Sequence, residues 1–421
     1  MPTVETLVVG AGQAGLALSR HLTDLGREHV LLERGRVAER WRSERWDSFR
    51  LLSPHRYNEL PGLPYEGTDP EGFLAGPEVV EHFDAYARSF AAPVRTGVAV
   101  RRVEPAPGGW RVRTADGGSW LARDVVVATG HYDRPCVPEV AERLPWRVEQ
   151  VHTSAYRRPE QLPPGAVLVV GSGPSGQQVA LELARAGRRV HLAVSRHRPL
   201  PRRYRGRDAY VWMDVLGMLD RTVDTLPGGR APRAPGVILA GGTEDLNLRV
   251  LAEGGVAMHG RLAGLVDGRA HFAGDLAERL AEADAHDVRF RASVDLHVGL
   301  YGGGQGEAFP APCRPERWAV ESARSLDLRR ERVTSVVWAT GFRRDFSWLR
   351  APVLDVRGDL VHHRGVTPAP GLSVLGLRWQ WKRKSNFIGG VGEDAAYLAQ
   401  VIDDRARGRE RDWGPALEPV A

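Results

Sequence analysis

The chain has 421 residues, of which 42% are hydrophobic and 26% charged, with a formal net charge of +6 at pH 7. This length allows two or three domains with a sizeable core; because acidic residues are interleaved with the arginines, the charge argues against nucleic-acid binding and leaves an anionic ligand open. The two cysteines, Cys136 and Cys313, are too few for a disulfide framework or a metal cluster and form no Cys-x-x-Cys pair, which excludes a redox-active dithiol of that type.

The N-terminal segment leads directly into a predicted strand, without the basic and apolar regions of a signal peptide. No apolar stretch of the chain approaches the length of about 20 residues that spans a bilayer. We therefore expect a cytoplasmic protein that binds neither membrane nor nucleic acid.

Residues 6–35 predict a parallel strand, a tight turn, a helix and a second parallel strand. Gly10, Gly12 and Gly15 match Gly-x-Gly-x-x-Gly, in which the first glycine permits the turn, the second lets a pyrophosphate approach and the third lets helix and strand pack closely. Glu33 ends the next strand, where a carboxylate accepts hydrogen bonds from a ribose diol. Dinucleotide binding is therefore a better interpretation than a ligand-free glycine turn, and we assign FAD to this unit. The predicted contacts are Gly10, Gly12, Gln13, Ala14, Gly15, Glu33 and Arg34.

Residues 165–196 repeat this strand, turn, helix and strand order roughly 160 residues later, about one domain length. Here Ser195 and Arg196 replace the Glu33-Arg34 pair of the first unit. A carboxylate would repel a ribose 2′-phosphate, whereas a hydroxyl and a guanidinium bind it. A solvated arginine is the alternative interpretation of Arg196, but the missing acid favours NADPH over NADH. The predicted NADPH contacts are Gly171, Ser172, Gly173, Pro174, Ser175, Gly176, Ser195, Arg196 and, from a later strand, Ala339, Thr340 and Gly341.

Between the two units, residues 94–130 resemble a β-meander that ends in a buried strand and Ala128-Thr129-Gly130. A matching strand ends in Ala339-Thr340-Gly341, so each unit is followed by its own Ala-Thr-Gly strand. We predict an α/β protein with two Rossmann-like dinucleotide-binding domains, the NADPH domain inserted into the FAD domain. The predicted boundaries are 1–155 for the first part of the FAD domain, 156–334 for the NADPH domain with substrate-side loops, and 335–421 for the second part of the FAD domain.

A further motif lies just before the second glycine loop, on the spacing Phe-x-Gly-x-x-x-His-x-x-x-Tyr/Phe. The residues on this spacing are Trp146, Val148, His152 and Tyr156. The spacing resembles the fingerprint of flavin-containing monooxygenases, the class B flavoprotein monooxygenases that include Baeyer–Villiger enzymes. The resemblance covers nearly the whole chain, and segments 39–62 and 386–399 look like the bacterial branch described as FAD-dependent oxidoreductases. Val148 departs from the family's glycine, and packing of a linker is the alternative role for His152 and Tyr156.

The resemblance implies further FAD contacts, including a helix at 390–394 that is aimed at the flavin ring. These contacts are Trp41, Arg42, Ser53, Val100, Ala128, Thr129, Gly130 and Glu393. It also implies that NADPH, O2 and FAD oxygenate a small organic substrate through a peroxyflavin, by N- or S-oxygenation, hydroxylation or a Baeyer–Villiger reaction. We assign no catalytic residue and no metal, since no acid/base pair, nucleophile triad or ligand cluster stands out. This suits a reaction whose chemistry the cofactors supply.

One departure from the family favours an alternative. Many members place an Asn near the flavin, where it helps protect the hydroperoxide, and Leu52 or Ser53 occupies its place here. The alternative is an NADPH-dependent flavin reductase or oxidase that releases hydrogen peroxide; a flavoprotein with a structural or regulatory flavin is disfavoured by the complete second loop. The substrate pocket is expected among residues 203–217, 301–316 and 378–387, and a homodimer is left open.

Overall fold

The computed structural model describes residues 1–229, 237–306 and 316–409. Cys313 and residues 307–315 of the predicted substrate-side loop lie outside the described residues. No helix within the described ranges is long and apolar enough to cross a membrane.

Strands and helices alternate along most of the described chain. The strands are β1 (Thr3–Val9), β2 (His29–Leu32), β3 (Val94–Arg95), β4 (Val100–Ala106), β5 (Gly109–Thr114), β6 (Ser119–Val127), β7 (Arg134–Pro135), β8 (Glu149–His152), β9 (Ala166–Val170), β10 (Val190–Ala193), β11 (Arg198–Pro199), β12 (Arg203–Tyr204), β13 (Arg207–Asp208), β14 (Val237–Ile238), β15 (Ala257–His259), β16 (Leu262–Val266), β17 (Arg269–Phe272), β18 (Ser325–Asp327), β19 (Val333–Trp338), β20 (Phe342–Arg343) and β21 (Leu372–Val374). The α-helices are α1 (Gln13–Asp24), α2 (Glu39–Ser43), α3 (Gly76–Ser89), α4 (Pro174–Arg185), α5 (Ala209–Val215), α6 (Leu248–Glu253), α7 (Leu276–Tyr301), α8 (Arg317–Val320) and α9 (Val391–Ala406).

The first sheet has seven strands in the order β3-β2-β1-β6-β5-β4, with β21 pairing the second half of β6. Its central strands β2, β1, β6 and β21 run parallel and are buried, as expected of strands covered on both faces. Val9 pairs with both Leu32 and Val127. The three strands therefore end at one level, and the loops that follow them lie side by side.

The second sheet has five parallel strands in the order β15-β10-β9-β19-β8. Its centre repeats the first sheet, because Val170 of β9 pairs with both Ala193 and Trp338. The second glycine loop thus also lies at a carboxyl edge, between the ends of two neighbouring strands. This edge is where open α/β sheets bind ligands.

The sheets place the unit boundaries differently from the predicted limits of 156 and 334. Strands β8 and β19 both belong to the second sheet, so in sheet membership the second unit runs from Glu149 to Trp338. The residues of β19 at 335–338, predicted to open the returning part of the first unit, pair instead with β9 and β8. This strand is apolar and buried, and its backbone groups need partners on both sides. After β19 the chain first contacts the first sheet through a bridge from Leu349 to Val103 of β4 and pairs with it again as a strand at β21.

A single apolar cluster connects the two units. It contains Leu16 and Leu22 of α1, Leu183 of α4, Val167 of β9 and Leu398 of α9. Because one continuous core includes the helices that follow both glycine loops, the two carboxyl edges are held in a common frame.

Candidate functional site

The first glycine loop is crowded at its first and third glycines and open at its second. Gly10 has φ +107°, and a Cβ there would lie 2.8 Å from the Ala128 carbonyl oxygen. A Cβ on Gly15 would collide with the Gly10 carbonyl, whereas a Cβ on Gly12 would meet no atom within 4 Å. This open space above the N-terminus of α1 is what a pyrophosphate needs in order to approach the backbone.

Glu33 is buried beside this loop and is held in place by two backbone amides. Its carboxylate accepts from the Ala11 amide at 2.8 Å and from the Gly35 amide at 3.0 Å. Each carboxylate oxygen keeps a further lone pair with which it can accept a hydroxyl. The residues of the first unit therefore fit a dinucleotide, with Glu33 on its ribose.

The predicted Ala128-Thr129-Gly130 segment lies directly against the first loop. The Ala128 amide donates to the Val9 carbonyl at 2.9 Å, and Gly130 has φ +76°. The Thr129 hydroxyl is buried and has no hydrogen-bond partner. A buried polar group without a partner is uncommon, and a bound ligand at this edge would provide one.

The other predicted contacts of the first unit differ in their placement. Trp41 borders the loop, because its Nε1 lies 3.5 Å from the Gln13 side-chain oxygen. The Arg42 guanidinium instead joins α2 to α3 by pairing with Asp84, and Arg34 faces Glu44 across 3.5 Å. Among these side chains, Trp41 is the one that borders the first glycine loop.

Two predicted FAD contacts, Val100 and Glu393, have side chains or backbone groups that are engaged by other parts of the protein. Val100 pairs with Thr114 inside the β4–β5 hairpin, while the Val98 amide, which the sequence analysis missed, donates to the Glu33 carbonyl at 2.8 Å. The Glu393 carboxylate is bound by two lysines: Lys382 and Lys384, each at 2.6 Å. The Glu393 side chain is therefore already paired, and the start of α9 is the part of this segment that remains without a side-chain cap.

Ser53 and Asn58 are joined by several local hydrogen bonds. The Ser53 hydroxyl donates to the Asn58 side-chain oxygen at 2.5 Å, and the Asn58 amide nitrogen donates to the carbonyls of Ser53 and Pro54. Asn58 is 2% exposed. The Asn58 side-chain amide, five residues after Ser53, is therefore engaged in hydrogen bonds within its own turn.

The second glycine loop repeats the crowding pattern of the first. Gly171 has φ +107°, and a Cβ there would lie 2.5 Å from the Ala339 carbonyl oxygen. A Cβ on Gly176 would collide with the Gly171 carbonyl, and one on Gly173 would meet no atom within 4 Å. The residues present therefore also fit a dinucleotide at the second carboxyl edge.

Ser195 and Arg196 lie beside this loop. The Ser172 hydroxyl donates to the Ser195 carbonyl at 3.1 Å and accepts from the Ser195 amide at 3.0 Å. Arg196 is exposed and forms no ion pair with any described carboxylate. Its guanidinium is free to reach a phosphate at the outer end of the second loop.

The Ala339-Thr340-Gly341 segment is held by the chain that crosses from the first unit. The Ala339 amide donates to Val170, and the Cys136 amide donates to the Gly341 carbonyl at 2.9 Å. The Thr340 hydroxyl donates to the Cys136 carbonyl and is already engaged, whereas the carbonyl and the Cβ of Ala339 border the loop.

The fingerprint residues connect the two units. His152 is buried, with its Nε2 3.0 Å from the Gly341 carbonyl oxygen, and burial lowers its pKa. The Tyr156 hydroxyl donates to Glu182 of α4 at 2.7 Å, and the same carboxylate accepts from Ser48 of the first unit at 2.6 Å. Trp146 is 96% exposed and takes no part. The predicted alternative, an ordered connection between units, is what these contacts form.

Glu182 is the member of this connection that the sequence analysis missed, because a polar residue on a surface helix carries no distinguishing pattern. Val148 occupies the glycine position without strain, since it is not among the residues with positive φ.

An aromatic wall stands in the cleft between the units. Tyr57 lies 5.6 Å from Tyr210, and Tyr210 lies 6.3 Å from Phe387, measured between ring centroids. Phe387 ends the 378–387 loop, whose Asn386 carbonyl accepts from the Gln13 side chain at 3.4 Å. Two of the three segments predicted to form the substrate pocket, 203–217 and 378–387, thus meet next to the first glycine loop.

Comparison with known proteins gives three kinds of match. Residues 7–208 match the family described as pyridine nucleotide-disulphide oxidoreductase. A CzcO-like oxidoreductase from Geobacillus kaustophilus is 33% identical over 402 residues, which cover 95% of this chain and 98% of that protein. The indole-3-pyruvate monooxygenase YUCCA1 from Oryza sativa is 37% identical over 194 residues, or 45% of this chain and 47% of that protein. Among solved structures, a flavin-containing monooxygenase from Stenotrophomonas maltophilia is 22% identical with a TM-score of 0.66 and covers 96% of this chain and 100% of that one, which shows a shared fold.

Proposed function

The chain belongs to the class B flavoprotein monooxygenases, in their CzcO-like branch, and uses FAD and NADPH. On this basis we propose that it transfers one oxygen atom from O2 to a small organic substrate. FAD is assigned to the first unit and NADPH to the second, which is inserted into the first. The observation that carries the proposal is the pair of glycine loops with the same crowding pattern. A structural flavin needs no second nucleotide, whereas a hydride donor does.

The chain's own residues bind, orient and shield. The first loop and Glu33 hold the dinucleotide of FAD, and the second loop with Ser195 and Arg196 holds that of NADPH. The bond network of Tyr156, Glu182 and Ser48 joins the units at a set geometry. When bound, the cofactors supply hydride transfer and oxygen activation, and the aromatic wall of Tyr57, Tyr210 and Phe387 excludes water from the substrate side.

The oxygenase and the alternative reductase or oxidase are distinguished by the fate of oxygen. Because the Asn58 amide is engaged in its own turn, we expect some uncoupling: without substrate, the FAD-loaded enzyme should oxidise NADPH and release hydrogen peroxide. With a substrate from a panel of amines, sulfides, ketones and organic acids, peroxide per NADPH should fall as an oxygenated product forms. The measurement pairs NADPH consumption with peroxide and with incorporation of ¹⁸O from labelled O2. Stoichiometric peroxide with every member of the panel would favour the reductase or oxidase.

Arg196→Ala should lower kcat/KM for NADPH by about 10- to 100-fold, because a charge-assisted hydrogen bond contributes about 1.5–3 kcal/mol. The response to NADH should change little, since NADH has no 2′-phosphate. Flavin reduction at varied NADPH and NADH measures both, and Arg101, which is exposed and belongs to the first unit, supplies Arg101→Ala as the matched control. Equal losses for the two nucleotides would show that Arg196 does not read the phosphate.

A further inference from the structure

Arg383 lies in the cleft between the units, on the 378–387 loop. Its guanidinium is 3.7 Å from the sulfur of Met213 on the second unit. Three residues along the same loop, Asn386 accepts a hydrogen bond from Gln13 at the start of α1. Arg383 therefore stands between the second unit and the first nucleotide loop, next to the aromatic wall.

Positive charge surrounds Arg383. Burial lowers its pKa, and the neighbouring guanidiniums of Arg378, Arg198 and Arg221 lower it further. Neither Arg383 nor Arg198 forms an ion pair with any carboxylate of the described residues. Arg383 and Arg378 are half-buried, whereas Arg198 and Arg221 are exposed. A half-buried cation without a carboxylate partner, as at Arg383, is unfavourable unless an anion joins it.

The carboxylates of the neighbouring segments already have partners of their own. These pairs are Asp208 with the buried Arg202, Asp214 with the Tyr57 hydroxyl at 3.3 Å, and Asp220 and Glu393 with Lys382 and Lys384. These carboxylates are therefore engaged by other groups and do not pair with Arg383, which remains available to a group from outside.

The wall next to Arg383 is aromatic and uncharged. Burial raises the pKa of Tyr57 and that of Tyr210 to about 12 each, so both phenols stay neutral and do not compete for the guanidinium. With Phe387 they form an apolar surface that is buried at Tyr210 and half-buried at Tyr57 and Phe387, which favours a ligand with an apolar or aromatic body.

We propose that the substrate is an organic acid whose carboxylate pairs with Arg383, in the field of Arg198 and Arg378. Its apolar body lies against Tyr57, Tyr210 and Phe387. A guanidinium matches a carboxylate in shape and binds it through two parallel hydrogen bonds. The oxygenation of that acid rests on the proposed function, whereas its binding can be measured without turnover.

The other anions that could reach this edge are the phosphates of NADPH, since Arg198 lies two residues after Arg196, the predicted phosphate contact. Calorimetric titrations of the oxidised, FAD-loaded protein separate the two sources. The probes are phenylacetate, its uncharged counterpart phenylacetamide, and NADP⁺. The variants are Arg383→Gln, Arg383→Lys and, as the matched loss of an exposed arginine, Arg101→Gln.

The wild-type protein should bind phenylacetate about tenfold or more tightly than phenylacetamide. Arg383→Gln should weaken phenylacetate by about 10- to 100-fold and leave phenylacetamide and NADP⁺ within about threefold, while Arg101→Gln should change none of them. Arg383→Lys should retain part of the preference for phenylacetate over phenylacetamide. If Arg383→Gln fails to retain FAD, this partial preference in Arg383→Lys tests the proposal in its place.

Equal affinity of the wild-type protein for acid and amide would overturn the proposal. So would a loss of NADP⁺ binding in Arg383→Gln with phenylacetate unchanged, which would assign the cations to the nucleotide. Failure of the proposed function has a different signature, namely preferential acid binding with no ¹⁸O incorporated into any acid.

Discussion

A Gly12→Val variant should be purified as a folded, colourless protein that retains less than about a tenth of the FAD of the wild-type protein. A valine at this position meets no protein atom within 4 Å of its Cβ, and the backbone of Gly12 is extended, with φ −89° and ψ −168°. The substitution therefore leaves the fold without strain. Its side chain instead fills the space that the pyrophosphate needs.

Flavin absorbance per protein, read before and after incubation with excess FAD, measures this loss, and circular dichroism checks the fold. Gly264→Val is the matched control, because Gly264 also has open space at its Cβ and no positive φ but lies in β16, away from both loops. Full FAD occupancy in Gly12→Val would mean that the first unit does not hold the flavin.

Gly173→Val should have the complementary effect: it should keep FAD but lose its reduction by NADPH by about 100-fold or more. The second loop has the same open position, with nothing within 4 Å of a Cβ on Gly173 and an extended backbone at φ −70°. A side chain there should exclude the NADPH pyrophosphate alone. A loss of this size corresponds to about 2.7 kcal/mol of binding.

Anaerobic flavin bleaching by NADPH measures the effect, and dithionite, which needs no nucleotide site, should still bleach the flavin of Gly173→Val completely. The two valine variants serve as controls for each other. If Gly173→Val loses FAD while Gly12→Val keeps it, the two cofactors are assigned to the wrong units.

The nucleotide loops are the part of this protein that its sequence determines by itself. The roles of Gly10, Gly12 and Gly15 are set by a backbone turn of a few residues, so their spacing is sufficient to predict them. Glu33 follows because the length of one helix and one strand places it beside the same loop. The second loop repeats this local geometry, and the prediction of two dinucleotide sites needed no long-range contact.

Tertiary structure decided which strand joins which sheet and which side chains meet across the cleft. Strand β19 pairs with β9 although more than 160 residues separate them along the chain. A buried strand needs hydrogen-bond partners, and tertiary packing decides which strand lies beside it. The link from Tyr156 to Glu182 and Ser48 spans both units, and the exposure of Trp146 follows from a turn that no spacing rule describes. Arg383 was one arginine among many in the sequence. It stands out only in the folded protein, where it forms no ion pair with any described carboxylate, since the partners of a charge depend on distances in space and not on separation along the chain.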